Sequence, residues 1–269
     1  MWGTLGIFAK LLYQFNLDTF TVVFYRAMIA FFLLLIYNFS KGLKIKKERL
    51  PFYAFYGFFS IFLFYVLYFH TVKISSVSLA VLLLYTAPIH STVLGYFIFK
   101  EGVTSIKLMA LIMAIFGVIF VVNPNNEKVS IPAIVSGLLS GFTYALYGIL
   151  GKIAVRNEKP EEALLYTIGF GTLFLTPFSK FKVPLDAFPY LFALALFPTF
   201  LAYILYNTAL KEVEVSRASI IATVEPVVAL ILAYLIFNET LTLKQLFGAA
   251  LIIGGSMLIH LDEMIEKRS

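Results

Sequence analysis

The sequence predicts an all-α integral membrane protein: about ten transmembrane helices in two inverted-topology repeats of five. Three observations predict it, namely the composition, the length of the hydrophobic runs and an internal duplication. Of 269 residues, 61% are hydrophobic and 13% charged, with a mean hydropathy of +0.91. Soluble domains are about one quarter charged, so this chain belongs in a bilayer. It has no cysteine, which excludes disulfides, thiol catalysis and cysteine-ligated metals.

Hydrophobic runs fall at 1–14, 19–40, 51–72, 76–99, 105–122, 132–152, 161–179, 187–210, 216–237 and 244–260. Most reach the ~20 residues that a span requires, with 161–179 and 244–260 at the short end. Lipid offers no hydrogen-bond partners to open backbone groups, so these runs are expected to be helices. Barrel strands would be half as long and alternating. With the N-terminus inside, fourteen Lys and Arg fall on cytoplasmic segments and five on the opposite side, Lys10 and Arg26 remaining within spans. The positive-inside rule then places both termini in the cytoplasm. The largest contributor is "KGLKIKKER" (41–49), read as a topology determinant. The net charge of +6 therefore needs no nucleic-acid partner.

The duplication is visible at an offset of 138 residues. "FLFYVLY" (62–68) matches "FLAYILY" (200–206), and Lys73, Ser78, Pro88, Glu101 and Gly117 match Lys211, Ser216, Pro226, Glu239 and Gly255. Upstream, at an offset of 142, "WGTLGIFAK" (2–10) matches "YALYGILGK" (144–152). Two halves follow, 1–122 and 131–262, joined by "NPNNEKVS" (123–130). Each has an odd number of spans, so the second enters the membrane inverted. Such repeats are characteristic of secondary transporters, with the substrate site near the midplane. The first run is two or more turns shorter than its counterpart, so either its start is expected upstream of Met1 or this helix begins partway into the bilayer.

Candidate site residues begin with Glu225 and Pro226, side by side in "IIATVEPVVAL" (220–230). On a helical wheel Ala218, Ala222, Glu225, Ala229 and Ala233 share one face, with Ile220, Val224, Val227, Ile231 and Leu235 opposite. The same face of the fourth segment reads Ala80, Leu84, Ala87, Ser91 and Gly95. Small residues mark the protein or cavity side and bulky aliphatics the lipid side. Pro88 and Pro226 interrupt corresponding helices, and matched interruptions point to a binding site. Glu225 is a cavity-lining substrate or coupling group, or else a carboxylate bonded across helices.

At this point the chain resembles a known family. "WG" near the start, Arg26 early in the second segment, "TAP" (86–88), "FKE" (99–101), "EPV" (225–227) and "FNET" (237–240) are similar to the EamA family of the drug/metabolite transporter superfamily. The resemblance implies a two-repeat basket around a central cavity lined by segments 1, 3, 4, 6, 8 and 9, with 5 and 10 as scaffold. It also implies export of amino acids or other small metabolites or drugs, without nucleotide hydrolysis. The related small multidrug exporters couple to protons through a glutamate in their first helix. Here that segment carries Lys10 and no acid, so the mechanism does not transfer.

The remaining candidates each have two readings. Arg26 either grips an anionic group or sets helix packing, and Lys10 either binds or snorkels to the interface. His90, close to the Pro88 break, either carries protons or is structural. Trp2, Tyr68, Tyr85, Tyr144, Tyr203, Tyr206 and Asn207 offer aromatic faces and polar groups suited to amphipathic or cationic substrates, or else pack. "GLLSG" (137–141) and "ALIIG" (250–254) are small-residue packing patterns. No metal or cofactor is expected, because the three histidines lie in different segments at no ligand spacing. No HExxH, GxSxG, GxxxxGK[ST] or paired intramembrane acids occur, so no enzyme is expected. The expectation is a multi-pass exporter of the prokaryotic inner membrane that binds a small-molecule substrate and works by alternating access. A passive facilitator on the same fold is the alternative. Proton coupling, direction, substrate and oligomeric state stay open.

Overall fold

The computed structural model describes residues 1–42, 47–123, 129–238 and 240–266. Lys44 and Lys46 of the basic run, linker residues 124–128, Glu239 and the charged tail 267–269 lie outside the described residues. Among those described the chain is helical, without strands. In order the helices are α1 (Leu5–Tyr13), α2 (Thr19–Ser40), α3 (Leu50–Gly57), α4 (Phe64–Ile74), α5 (Val77–Leu84), α6 (Ala87–Phe99), α7 (Ser105–Val122), α8 (Ile131–Val155), α9 (Pro160–Leu175), α10 (Phe188–Ala195), α11 (Ala202–Ala209), α12 (Val215–Ala222), α13 (Glu225–Phe237) and α14 (Leu243–Glu266).

Eight helical stretches are long and apolar enough to cross a membrane among the described residues. The first and seventh runs, Trp2–Tyr13 and Pro160–Leu175, fall short of that length. α2 and α7 begin and end at the residues that the hydrophobic runs predict, because each starts on a capping side chain. Asp18 accepts from the Thr21 N–H at 3.0 Å, and Thr104 accepts from the Lys107 N–H at 3.0 Å. At about 1.5 Å per residue, the 22 residues of α2 span about 33 Å, enough for a hydrocarbon core of ~30 Å. α14 runs six residues beyond the expected 260, since Asp262 and Glu266 pair with Arg217 and carry the helix on. Large apolar side chains such as Ile36, Phe97, Leu235 and Met257 stand exposed on the spans. A soluble protein rarely shows so much apolar surface, and here it meets lipid.

The chain forms two compact units that do not follow the halves of the sequence. The first contains residues 1–63 and 150–211, so α1 to α3 join the end of α8 and α9 to α11. In it α2 packs on α9 and α10, and α3 on α9. Tyr53 stacks on Tyr166 at 5.2 Å, and Asn38 Nδ2 donates to the Glu161 carbonyl at 3.0 Å. Asp18 also accepts from the Thr21 hydroxyl at 2.9 Å and pairs with Lys180 at 3.5 Å. Burial alone would raise the Asp18 carboxyl, but these hydrogen bonds and the lysine outweigh it and hold its pKa below the ordinary value.

The second unit contains residues 64–149 and 212–269, with α4 to α7, most of α8, and α12 to α14. α7 and α14 pack along their length. Their backbones meet at Gly117 and Gly248, where a Cβ on either would stand 2.8 or 2.6 Å from the other's carbonyl oxygen. Lipid gives helices no hydrophobic reason to associate, so such close approach supplies the packing energy. The contact is made by Gly117, Gly248 and Gly255 rather than by the 250–254 pattern as a whole. At one end of this unit Lys107 pairs with Glu214 at 2.6 Å, and Arg217 pairs with Glu214 at 2.9 Å and Asp262 at 3.0 Å. Lys107 and Arg217, two of the fourteen cations on cytoplasmic segments, are buried.

Candidate site at the paired helix breaks

Four helical stretches are interrupted, and the interruptions match at the 138-residue offset. α5 stops at Leu84 and α6 restarts at Ala87; α12 stops at Ala222 and α13 restarts at Glu225. Pro88 and Pro226 lie in the first turn of the new helices, where a missing N–H costs nothing. They therefore start helices rather than kink continuous ones. At the first stop the Thr86 hydroxyl donates to the Leu83 carbonyl at 2.7 Å; at the second the Thr223 hydroxyl donates to the Ile220 carbonyl at 2.6 Å. α6 and α13 end alike as well, on left-handed Lys100 and Asn238. The other matched pair was not legible in the sequence: π-helical turns at Phe58–Leu63 and Leu196–Leu201. π-turns often mark functional sites.

In the second unit the Tyr85 hydroxyl at the first break and the Glu225 carboxylate at the second are close enough to interact. Tyr68 and Tyr144 lie within electrostatic reach of that hydroxyl, and both rings pack on Phe64, at 6.1 and 5.6 Å. Tyr85 is buried, while Glu225 is only half-buried. His90 lies one turn beyond the first break, 3.4 Å from the Thr86 hydroxyl and edge-on to Phe142. The break rests on α8: a Cβ on Gly141 would stand 2.6 Å from the Thr86 hydroxyl and 2.8 Å from the Leu83 carbonyl oxygen. Gly137 and Gly141 thus seat the interruption.

The wheel drawn through the ninth segment holds only in part, with Ile231 and Leu235 exposed as it sets them. Ile220 and Val227, set on the lipid side, are buried in two core clusters, Ile220 with Ala110, Ala114 and Ile259, Val227 with Tyr85, Val118 and Ile252. The break at Thr223–Val224 resets the helical phase, so no single 100° rotation relates α12 to α13.

The first unit holds a separate set of the expected residues. Arg26 is buried and donates from Nε to the Thr199 hydroxyl at 3.1 Å. Thr199 in turn donates to the Leu194 carbonyl, five residues back, the spacing of the π-turn. Trp2 packs edge-on against Tyr203 at 5.6 Å and tilted against Tyr206 at 5.2 Å. Asn207 is fully buried, donating to the Tyr203 carbonyl at 2.9 Å. Lys10 is exposed in the last turn of α1. Thr199, Thr86 and Thr223 were missed because a hydroxyl in an apolar run gives no signal of its own. No three metal-ligating side chains converge among the described residues.

The EamA-like transporter family model matches residues 1–123 and again residues 131–261. An uncharacterized transporter of Archaeoglobus fulgidus is 31% identical over 191 residues, 71% of this chain and 70% of that protein. An S-adenosylmethionine uptake transporter of Rickettsia felis is 23% identical, covering 92% and 85% of the two chains. A solved crystal structure, 16% identical, shares the fold with a TM-score of 0.86 over 97% of this chain and 92% of its own. The chain belongs to the EamA-like transporter family.

Proposed function

We propose that this membrane transporter of small solutes is a secondary exporter working by alternating access, with Glu225 and Tyr85 in its substrate site. In this reading residues 1–122 and 131–262 are inverted halves, and both termini face the cytoplasm. One observation carries it: Tyr85 and Glu225 interact across the two helix breaks that occupy equivalent places in the halves. A carboxylate beside interrupted helices can exchange its protein partner for a substrate group, and the exchange is a two-state event of the kind transport requires. Tyr68 and Tyr144 supply aromatic faces next to it.

The test is a thermal-shift screen of detergent-solubilised protein against amino acids, amines, nucleosides and organic acids, with wild type beside Glu225→Gln. S-adenosylmethionine belongs in the screen because of the Rickettsia relative. We expect a ligand that stabilises wild type while the variant, equally stable alone, binds it roughly tenfold or more weakly, as for loss of a charged hydrogen bond. Equal stabilisation of both proteins removes Glu225 from the site. The relative's name says uptake, so the direction of accumulation in oriented vesicles decides between export and import.

A further inference from the structure

In the first unit, the ends of α2, α8 and α11 and the start of α9 enclose a cleft of about 560 Å³ lined by Lys41, Arg156, Lys159, Lys211, Glu158 and Glu162. The two glutamates do not offset the four cations equally. The Glu158 carboxylate is turned inward, its side chain 1% exposed, and is occupied by Arg49 at 3.0 Å and by the Tyr53 hydroxyl. Lys41 Nζ donates to the Tyr37 hydroxyl at 2.6 Å and lies 4.3 Å above that ring, which holds it in place, with Glu161 3.8 Å away. The side chains of Lys159 and Lys211 have no ion-pair or hydrogen-bond partner among the described residues.

This differs from the other end-of-helix cluster in the molecule. There Lys107 and Arg217 are matched by Glu214 and Asp262 at 2.6–3.0 Å. A cleft that gathers cations from separate helices and leaves two of them unmatched is built for an anion from outside the chain. Its position suggests which anion. α2 ends its apolar run at Ser40, so Lys41 stands at headgroup level, and Ile36 and Phe39 just before it are exposed to lipid. Basic pockets at the ends of spans bind phosphate-bearing headgroups.

We propose that this cleft binds a phosphate group, carried by an anionic phospholipid or by a soluble phosphate ester. The experiment delipidates the full-length protein in detergent and titrates it with dioleoylphosphatidylglycerol, dioleoylphosphatidylcholine or inorganic phosphate. Binding is read by native mass spectrometry and by melting temperature. Lys159→Gln/Lys211→Gln is compared with Lys73→Gln/Lys182→Gln, which removes two exposed lysines elsewhere. The expected result is phosphatidylglycerol binding about tenfold tighter than phosphatidylcholine, weakened about fivefold or more only in the cleft variant. Inorganic phosphate binding with the same variant dependence assigns the site to the phosphate itself. Phosphatidylglycerol binding without phosphate binding assigns it to the lipid. Equal loss in both variants, loss in neither, or no binding of either probe overturns the proposal.

Discussion

At Tyr85–Thr86 and at Thr223–Val224, 138 positions apart, the chain stops one helix and starts another with proline in its first turn. The two breaks then diverge. The first is seated against Gly141, and its new helix begins with Ala87, which has no exposed surface. The second places Glu225 at the position of Ala87, half-buried and within reach of Tyr85. The helices leading into the breaks differ in the same way. α5 is capped locally, Ser76 accepting from the Leu79 N–H at 3.0 Å. At the matching position α12 has Glu214, which faces Lys107 and Arg217 instead. The cap comes from Glu101, which accepts from the Val215 N–H at 2.7 Å, the Ser216 N–H at 3.1 Å and the Ser216 hydroxyl at 2.6 Å. Equivalent backbones thus carry a closely packed break entered by a locally capped helix in one half, and a charged break entered by a helix capped from a distant residue in the other.

The largest effect should come from the seat. Gly141→Leu is expected to abolish folded protein, since its Cβ alone would stand 2.8 Å from the Leu83 carbonyl oxygen and the rest of the side chain must fit the same contact. Gly141→Ala should cost about 1–3 kcal/mol. Gly102→Ala, whose Cβ would meet nothing within 4 Å, is the control. Thermal denaturation in detergent measures all three, and a Gly141→Ala protein as stable as Gly102→Ala would undo the packing half of the comparison. The caps come next. Glu101→Ala strands buried donors that bonded to a charged group and should cost about 3 kcal/mol. Ser76→Ala should cost ~1 kcal/mol. Equal losses would mean that α12 is no more dependent on tertiary support than α5.

What could be read in advance follows from whether the signal is local. Hydrophobic runs and caps are local, so α2 and α7 were bounded correctly from composition alone. The breaks were visible because proline in an apolar run has one meaning for the backbone. The Tyr85–Glu225 interaction was not visible, because it depends on helical phase, which the Thr223–Val224 interruption resets. Lys107 and Arg217 read in the sequence only as charges near the ends of apolar runs, although tertiary pairing with Glu214 and Asp262 buries them. The π-turn at Phe58–Leu63 leaves no trace in "FFSIFL", a string equally compatible with an α-helix. Arg26 stands out in the sequence as a cation within a span, but its partner Thr199 is 173 positions away.

The smallest effect concerns a local cap that titrates. Ser76 has no charge to lose, whereas Asp18 caps α2 as a carboxylate, and its folded pKa lies below the unfolded value near 3.8. A depressed pKa contributes stability that is fully present above the unfolded value and is lost as pH falls through the folded one. The start of α2 should therefore loosen below about pH 4, while the start of α5 does not respond through its cap. Lys180 contributes to the depression, so Lys180→Gln should lessen the protection that the cap gives at neutral pH and leave a smaller loss below about pH 4. Hydrogen exchange of the Thr21 and Leu79 amides across pH 3–6, corrected for intrinsic rates, measures both starts in one sample. Acid-induced loss of protection at Thr21 but not at Leu79 confirms that a local cap can be switched by its own side chain. Parallel loss at both would mean that global unfolding, and not the Asp18 carboxyl, sets the response.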